Sequence, residues 1–177
     1  MGQYYMVLMK QNKKQTVFDR SVDGDYTMAK LMEHSWWENP FVNSISNKIY
    51  NKPAQIWWVG DYAEDINPKV YKKVWGENAK TETIRESQID LYEKFLINHT
   101  KKIYIDCKKY WKNSVTKDKW CIHPLPLLTA LGNGLGGGDY FAEVGKELIG
   151  TWAGDLLEIS KTKPDYEEIE VVFKEYE

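Results

Sequence analysis

"YYMVLMKQNKKQTVF", residues 4–18, is the stretch whose reading sets the architecture. Tyr4 to Met9 is a short apolar run rich in aromatic and long side chains. Gln11-Asn12-Lys13-Lys14 is a polar turn, and Thr16-Val17-Phe18 resumes the apolar pattern. Two apolar runs joined by a short polar turn predict an N-terminal β-hairpin. The same signal returns at Phe95-Leu96-Ile97, Asn98-His99-Thr100 and Ile103-Tyr104-Ile105. Hairpin signals outnumber strand–helix–strand signals. The expected fold is therefore α+β, a single domain over residues 1–177 with a mainly antiparallel sheet and inserted helices.

Between and after the hairpins, the breakers place the other elements. Asp23-Gly24-Asp25 interrupts the chain, and Met28, Leu31, Met32, Ser35 and Trp36 follow at helical spacing. Asn39-Pro40 and Asn67-Pro68 each read as a helix start, with asparagine as cap and proline in the first turn. Ile56 to Val59 reads as a buried strand, and Glu77 to Glu86 as a surface loop or frayed helix. His123-Pro124-Leu125-Pro126 is expected to be extended, because each proline restricts its predecessor. Trp120 to Ile122, Leu148 to Trp152 and Leu156 to Ile159 read as strands. Ile169, Val171 and Phe173 fall at every second position after an acidic start, as in a half-exposed final strand. In each pair, Trp36-Trp37 and Trp57-Trp58, neighbours should face different ways.

Composition narrows the class. Hydrophobic residues make up 42% and charged residues 28% of 177, which is globular rather than disordered. A net charge of −2 excludes a nucleic-acid binder acting through the whole surface. The charge is uneven, however. Lys94 to Lys119 is basic and Asp155 to Glu177 is acidic. Two readings stay open for that asymmetry: solvated faces, or an anion site and complementary contacts between subunits of a homo-oligomer. "MGQYYMVLMK" shows no secretory leader, and no run reaches membrane-spanning length. A cytoplasmic location follows as an expectation, with Cys107 and Cys121 as free thiols.

Three features carry chemistry. "GNGLGGGDY", Gly132 to Tyr140, fits a dinucleotide fingerprint literally but lacks the βαβ array, and no lysine follows for a phosphate-binding P-loop. What remains is either a flexible turn or an ordered loop whose N–H groups approach a ligand closely. Asp61-Tyr62-Ala63-Glu64-Asp65 leaves a strand end. It reads as an acidic turn, or as a crowd of carboxylates able to hold a hard cation. His34, His99 and His123 have no metal-ligand spacing. No metal or cofactor is required by any motif.

The segments "MGQYY", "LMEHSW", "VGDYAED", "NHTKKIYID", "IHPLPLLTALGNGLGGGDY" and "IGTWAGD" together resemble an uncharacterised family of small proteins from phages and low-GC Gram-positive bacteria. The resemblance covers roughly residues 1 to 159. It implies a phage context, hence the host cytoplasm, and a shared site rather than a reaction. It nominates Asp61, Tyr62, Gly137, Gly138, Asp139, Trp152 and Asp155.

The resulting expectation is a cytosolic binding protein that counteracts a host defence. It would sequester a nucleotide-like small molecule or block a host defence protein. Gly136, Gly137 and Gly138 would offer N–H groups to phosphate, and Lys101, Lys102, Lys108 or Lys109 would add charge. Asp139, Tyr140, Asp61, Tyr62, Trp152, Asp155 and His123 complete the candidate ligand-binding set. The alternative is an enzyme acting on a nucleotide or sugar-phosphate, with Asp61, Asp139 and Asp155 as acids and His123 or His99 moving the proton.

Overall fold

The computed structural model describes residues 2–26 and 30–174. Strand β1 (Tyr5–Gln11) turns at Asn12 and Lys13 into β2 (Lys14–Val22). Both turn residues have positive φ, 50° and 66°. That handedness matches the twist of the paired strands, and asparagine accepts it readily. The pair is antiparallel, with Val7 opposite Phe18. Val7 and Met9 face one core and Met6 and Leu8 another. Both sides of β1 are covered, so its apolar run is unbroken.

Short β3 (Asp25–Tyr26) extends β2. Helix α1 (Pro40–Lys48) starts as the sequence predicts: the Asn39 side chain accepts from the N–H groups of Phe41 and Val42. Strand β4 (Ala54–Gly60) lies antiparallel to β1, with Tyr5 opposite Gly60. Helix α2 (Pro68–Trp75) is capped by Asn67 and covers one sheet face through Val70 and Val74, against Met6, Leu8, Val17 and Val59. The larger core lies on the opposite face. There Phe41, Val42 and Ile45 of α1 pack with Val7, Phe18, Ile56 and Trp58.

The remaining elements are β5 (Thr81–Ile84), the hairpin β6 (Phe95–Asn98) and β7 (Ile103–Asp106), and helices α3 (Cys107–Ser114) and α4 (Pro124–Leu128). Strands β8 (Ala130–Leu131), β9 (Leu156–Ser160) and β10 (Glu167–Glu168) follow. The strands form one sheet in the order β10-β7-β6-β9-β4-β1-β2-β3, with β5 on β2 and β8 on β4. Pairings are antiparallel except β10 with β7, β5 with β2 and β8 with β4. The fold is thus α+β with a mostly antiparallel sheet. No described helix is long and apolar enough to cross a membrane.

Several local expectations need correction. His123 to Pro126 is not extended. His123 caps α4, and both prolines sit in its first turn, where the backbone N–H groups have no helical acceptor and a missing donor costs nothing. The helix expected from Met28 to Trp36 is absent from its described part. Met28 itself lies outside the described residues. The backbone there is tied elsewhere: Met32 N–H to Gly138, Trp37 N–H to Cys121, and the Ser35 carbonyl to His123. Glu77 to Glu86 contains β5, which gains a strand partner in β2. Leu148 to Trp152 is turn rather than strand, and Trp120 to Ile122 forms only an isolated bridge, Ile122 to Trp36. The final alternating stretch buries Val171 and Phe173 but pairs as a strand only at Glu167–Glu168. Of the tryptophan pairs, Trp37 and Trp58 enter the core while Trp36 and Trp57 are half-buried.

Candidate functional site

The glycine loop closes onto the start of the chain. Gly137 forms a parallel bridge with Gly2, and Gln3 lies fully buried beneath the loop. A Cβ on Gly136 would stand 2.6 Å from the Gln3 backbone nitrogen. On Gly132 it would meet the Gln3 amide and the Tyr5 hydroxyl, and on Gly60 the Gln3 amide at 2.7 Å. Three glycines from two separate sequence segments therefore form a cage around one glutamine. Close approach, rather than flexibility, explains why these three positions are glycine.

Inside the cage the polar groups converge on Asp139, which is 4% exposed. The Tyr5 hydroxyl donates to Asp139 Oδ1 at 2.8 Å, and the Gly136 N–H donates to Oδ2 at 2.9 Å. The Gln3 amide takes the orientation that satisfies it: its nitrogen donates to Asp139 Oδ2 at 3.0 Å and to the Tyr5 oxygen at 2.7 Å, while its oxygen accepts from the Tyr62 N–H at 3.1 Å. Burial pushes the Asp139 carboxyl above its usual range, against the opposing pull of its hydrogen bonds from Tyr5 and Gly136. Burial also pushes the Tyr5 phenol well above its ordinary value, with the Asp139 charge adding to the effect. Asp61 joins the same corner: its Oδ1 accepts from the Tyr4 N–H at 3.0 Å.

Two cavities flank this loop. One, of about 450 Å³, is lined by Tyr5, Leu31, Gly132, Asp139, Phe141 and Lys146 among others. A second, of about 240 Å³, lies across the Asp139–Phe141 segment and reaches Met32, Glu33 and Lys174. The larger volume is in the range of small-molecule sites, and its lining combines apolar walls with few polar groups. Tyr140 is buried. Its hydroxyl donates to the Val144 carbonyl and accepts from the Lys174 N–H, and its ring meets Phe173 edge-on.

The sequence candidates separate into three places. Asp61, Tyr62, Gly136, Gly137, Gly138, Asp139 and Tyr140 come together at the loop. Asp155, Lys101 and Lys102 do not. The Asp155 carboxylate accepts from the Asn98 amide at 2.8 Å and pairs with Lys101, beside the β6–β7 turn where Lys102 takes a φ of 54°. Gln55 pairs with Leu156 at one end of β4 and Gly60 with Tyr5 at the other. Five residues of strand, about 17 Å, separate those ends. His123 is buried between α1 and α4. Its Nδ1 accepts from the Leu125 N–H. The Ser46 hydroxyl spends its proton on the Val42 carbonyl, so His123 Nε2 donates to it. Burial holds this imidazole down to about 3, so it stays neutral at physiological pH. Trp152 is a core residue, 1% exposed. His99 sits at the surface between Glu158 and Tyr166.

The basic and acidic parts of the chain meet each other. Lys109 pairs with Glu168 at 2.7 Å, Asn113 donates to Glu170, and Lys101 pairs with Asp155, while Lys108 pairs with Glu93. Two ion pairs thus join the basic and acidic segments within one chain. Asp61-Tyr62-Ala63-Glu64-Asp65 does not gather its carboxylates, and no group of three or more metal-ligating side chains occurs among the described residues. Cys107 and Cys121 are free and buried, which raises both thiols to about 12.

No protein-family model, curated protein or solved structure matches the chain. The site is therefore read from its own geometry. That geometry adds Gln3, Tyr5, Leu31, Phe141 and Lys146 to the sequence candidates. Gln3 carried a readable signal, an amide placed directly before an apolar strand. The others are ordinary core and surface residues until the fold brings them to one groove.

Proposed function

We propose that this chain is a binding protein, not a catalyst, and that its ligand is a nucleotide-like small molecule held in the groove beneath Gly132 to Phe141. The observation that carries this is a buried acceptor, Asp139, lining a cavity of about 450 Å³ with apolar walls. The base enters against Leu31, Ile149 and Phe141, and Lys146 at the rim, in a solvated pair with Glu143 at 3.7 Å, is the lining cation that can turn to a phosphate. The glycine loop itself is a poor phosphate cradle. The Gly136 N–H is spent on Asp139, the Leu135 N–H on Asn133, and a carboxylate already occupies the centre. The enzymatic alternative lacks support for a different reason: Asp139 and Asp155 stand at opposite ends of β4, and His123 is enclosed.

The phage resemblance supplies the biological role in this reading, sequestration of a host signal in the cytoplasm. A second reading has an observation of its own. Leu135 and Phe141, which line the groove, are 79% and 43% exposed, an apolar rim suited to a host defence protein. Incubation with a nucleotide panel, including cyclic dinucleotides and ADP-ribose derivatives, separates the readings. A raised Tm with the compound recovered unchanged after denaturation supports sequestration. A chemically altered compound overturns it in favour of the enzyme. No shift with any compound overturns it in favour of the protein partner.

A further inference from the structure

Asp139 sets a chemical preference that the size and apolarity of the groove do not. Its carboxylate has about four acceptor positions. Three are filled from within the protein: Oδ1 by the Tyr5 hydroxyl, and Oδ2 by the Gly136 N–H and the Gln3 amide nitrogen. The remaining position is on Oδ1. The donors that hold the carboxylate come from Tyr5 of β1, from the caged loop and from Gln3, which is fully buried against three glycines. The acceptor is therefore fixed in place before any ligand arrives. An ionised carboxylate accepts hydrogen bonds and donates none. A ligand that brings an N–H to Oδ1 completes its set, whereas a ligand that brings a carbonyl meets a second acceptor in a site largely withdrawn from water.

We infer that Asp139 is a specificity-determining residue, and that the groove selects ring ligands bearing an exocyclic amino group over analogues that lack it. In nucleoside terms it takes adenine over unsubstituted purine, and cytosine over 2-pyrimidinone. This rests on the groove being the nucleotide-like site proposed above. The Tyr5 hydroxyl strengthens the discrimination by keeping Oδ1 oriented, and acts as a positioning residue.

The full-length chain is titrated with adenosine and purine riboside, then with cytidine and 2-pyrimidinone riboside, by calorimetry at neutral pH. Each pair differs only in the exocyclic amino group, so the comparison needs no variant. The expected result is at least tenfold tighter binding of the amino member in a pair that binds. The ¹³C carboxyl resonance of Asp139 should move with adenosine and stay in place with purine riboside. Tyr5→Phe should narrow the preference while leaving apolar contacts intact. Equal affinity for both members overturns the inference and leaves the groove as an unselective site. Binding of none of the four overturns the inference together with the reading on which it rests.

Discussion

The glycine loop and the seam between the basic and acidic segments carried comparable signals in the sequence. Both were clusters of unusual composition, and both supplied candidate ligand contacts. In the folded chain they differ in where their polar groups point. At the seam, Lys109, Lys101 and Asn113 face Glu168, Asp155 and Glu170. The Lys109–Glu168 pair is largely solvated. At the loop, the donors of Gln3, Tyr5 and Gly136 converge on one buried carboxylate beside an open cavity. A region's capacity to bind depends on what is left after its groups have satisfied one another. The seam has a cavity too, of about 290 Å³, but Lys109, Asn113, Glu168 and Glu170 in its lining bond to one another. The loop keeps one acceptor position and a groove.

The sharpest way to break this comparison is to enlarge the loop glycines. Gly136→Val should cost about 3 kcal/mol, because its side chain must enter space held by the Gln3 backbone. Gly134→Val has open space around it and a φ of 70°, so its cost of about 1 kcal/mol is backbone strain alone. Urea denaturation midpoints check both. Equal costs would show that the loop is not clamped on Gln3. Within the loop, Gly136, Asp139 and Tyr140 are buried, while Gly134 is exposed.

Asp139→Ala should come next, at about 2–3 kcal/mol, since it strands three buried donors at once. Asp155→Ala at the seam should cost about 1 kcal/mol, because Asn98 and Lys101 can turn to solvent. A reversed order of the two would mean that the loop carboxylate is not the centre of a network.

The effect of pH on the loop is smaller and has a definite sign. The Asp139 carboxyl lies above its ordinary 3.8, so the fold favours its protonated form. Its contribution to stability is complete below pH 3.8 and is lost as pH rises through the raised value. Measured against Asp139→Asn across pH 3 to 7, wild-type stability should fall with rising pH. A rise would show that the hydrogen bonds outweigh desolvation.

The smallest effect belongs to the seam. Lys109→Ala should leave the thermal midpoint unchanged within error at 0.15 M salt, because a solvated pair is screened and entropically costly to hold. A clear loss of stability there would overturn the contrast drawn between the two regions.

Local rules in the sequence determined the N-terminal hairpin, both asparagine-capped helices, the β6–β7 hairpin and the α+β class. Each depends on residues within a few positions of one another: a turn that accepts positive φ, a side chain that reaches its own helix N–H groups, a run of apolar residues between breakers. The same local logic failed at Pro124 and Pro126. A proline excludes a helix interior but not a first turn, and only the packed α4 shows which applies. It failed again from Lys30 to Trp36, where backbone groups bond to the glycine loop and to Cys121 and His123 instead of to the next turn. The site was half legible. Glycines followed by Asp139-Tyr140 marked the loop, but Gln3 and Tyr5 lie more than a hundred residues away in sequence. Whether a lysine is available to a ligand, a histidine able to titrate or a carboxylate short of a donor depends on partners brought from distant segments. The tertiary structure alone decided those partners, because hydrogen bonds and burial are set by distance in space and the sequence records only distance along the chain.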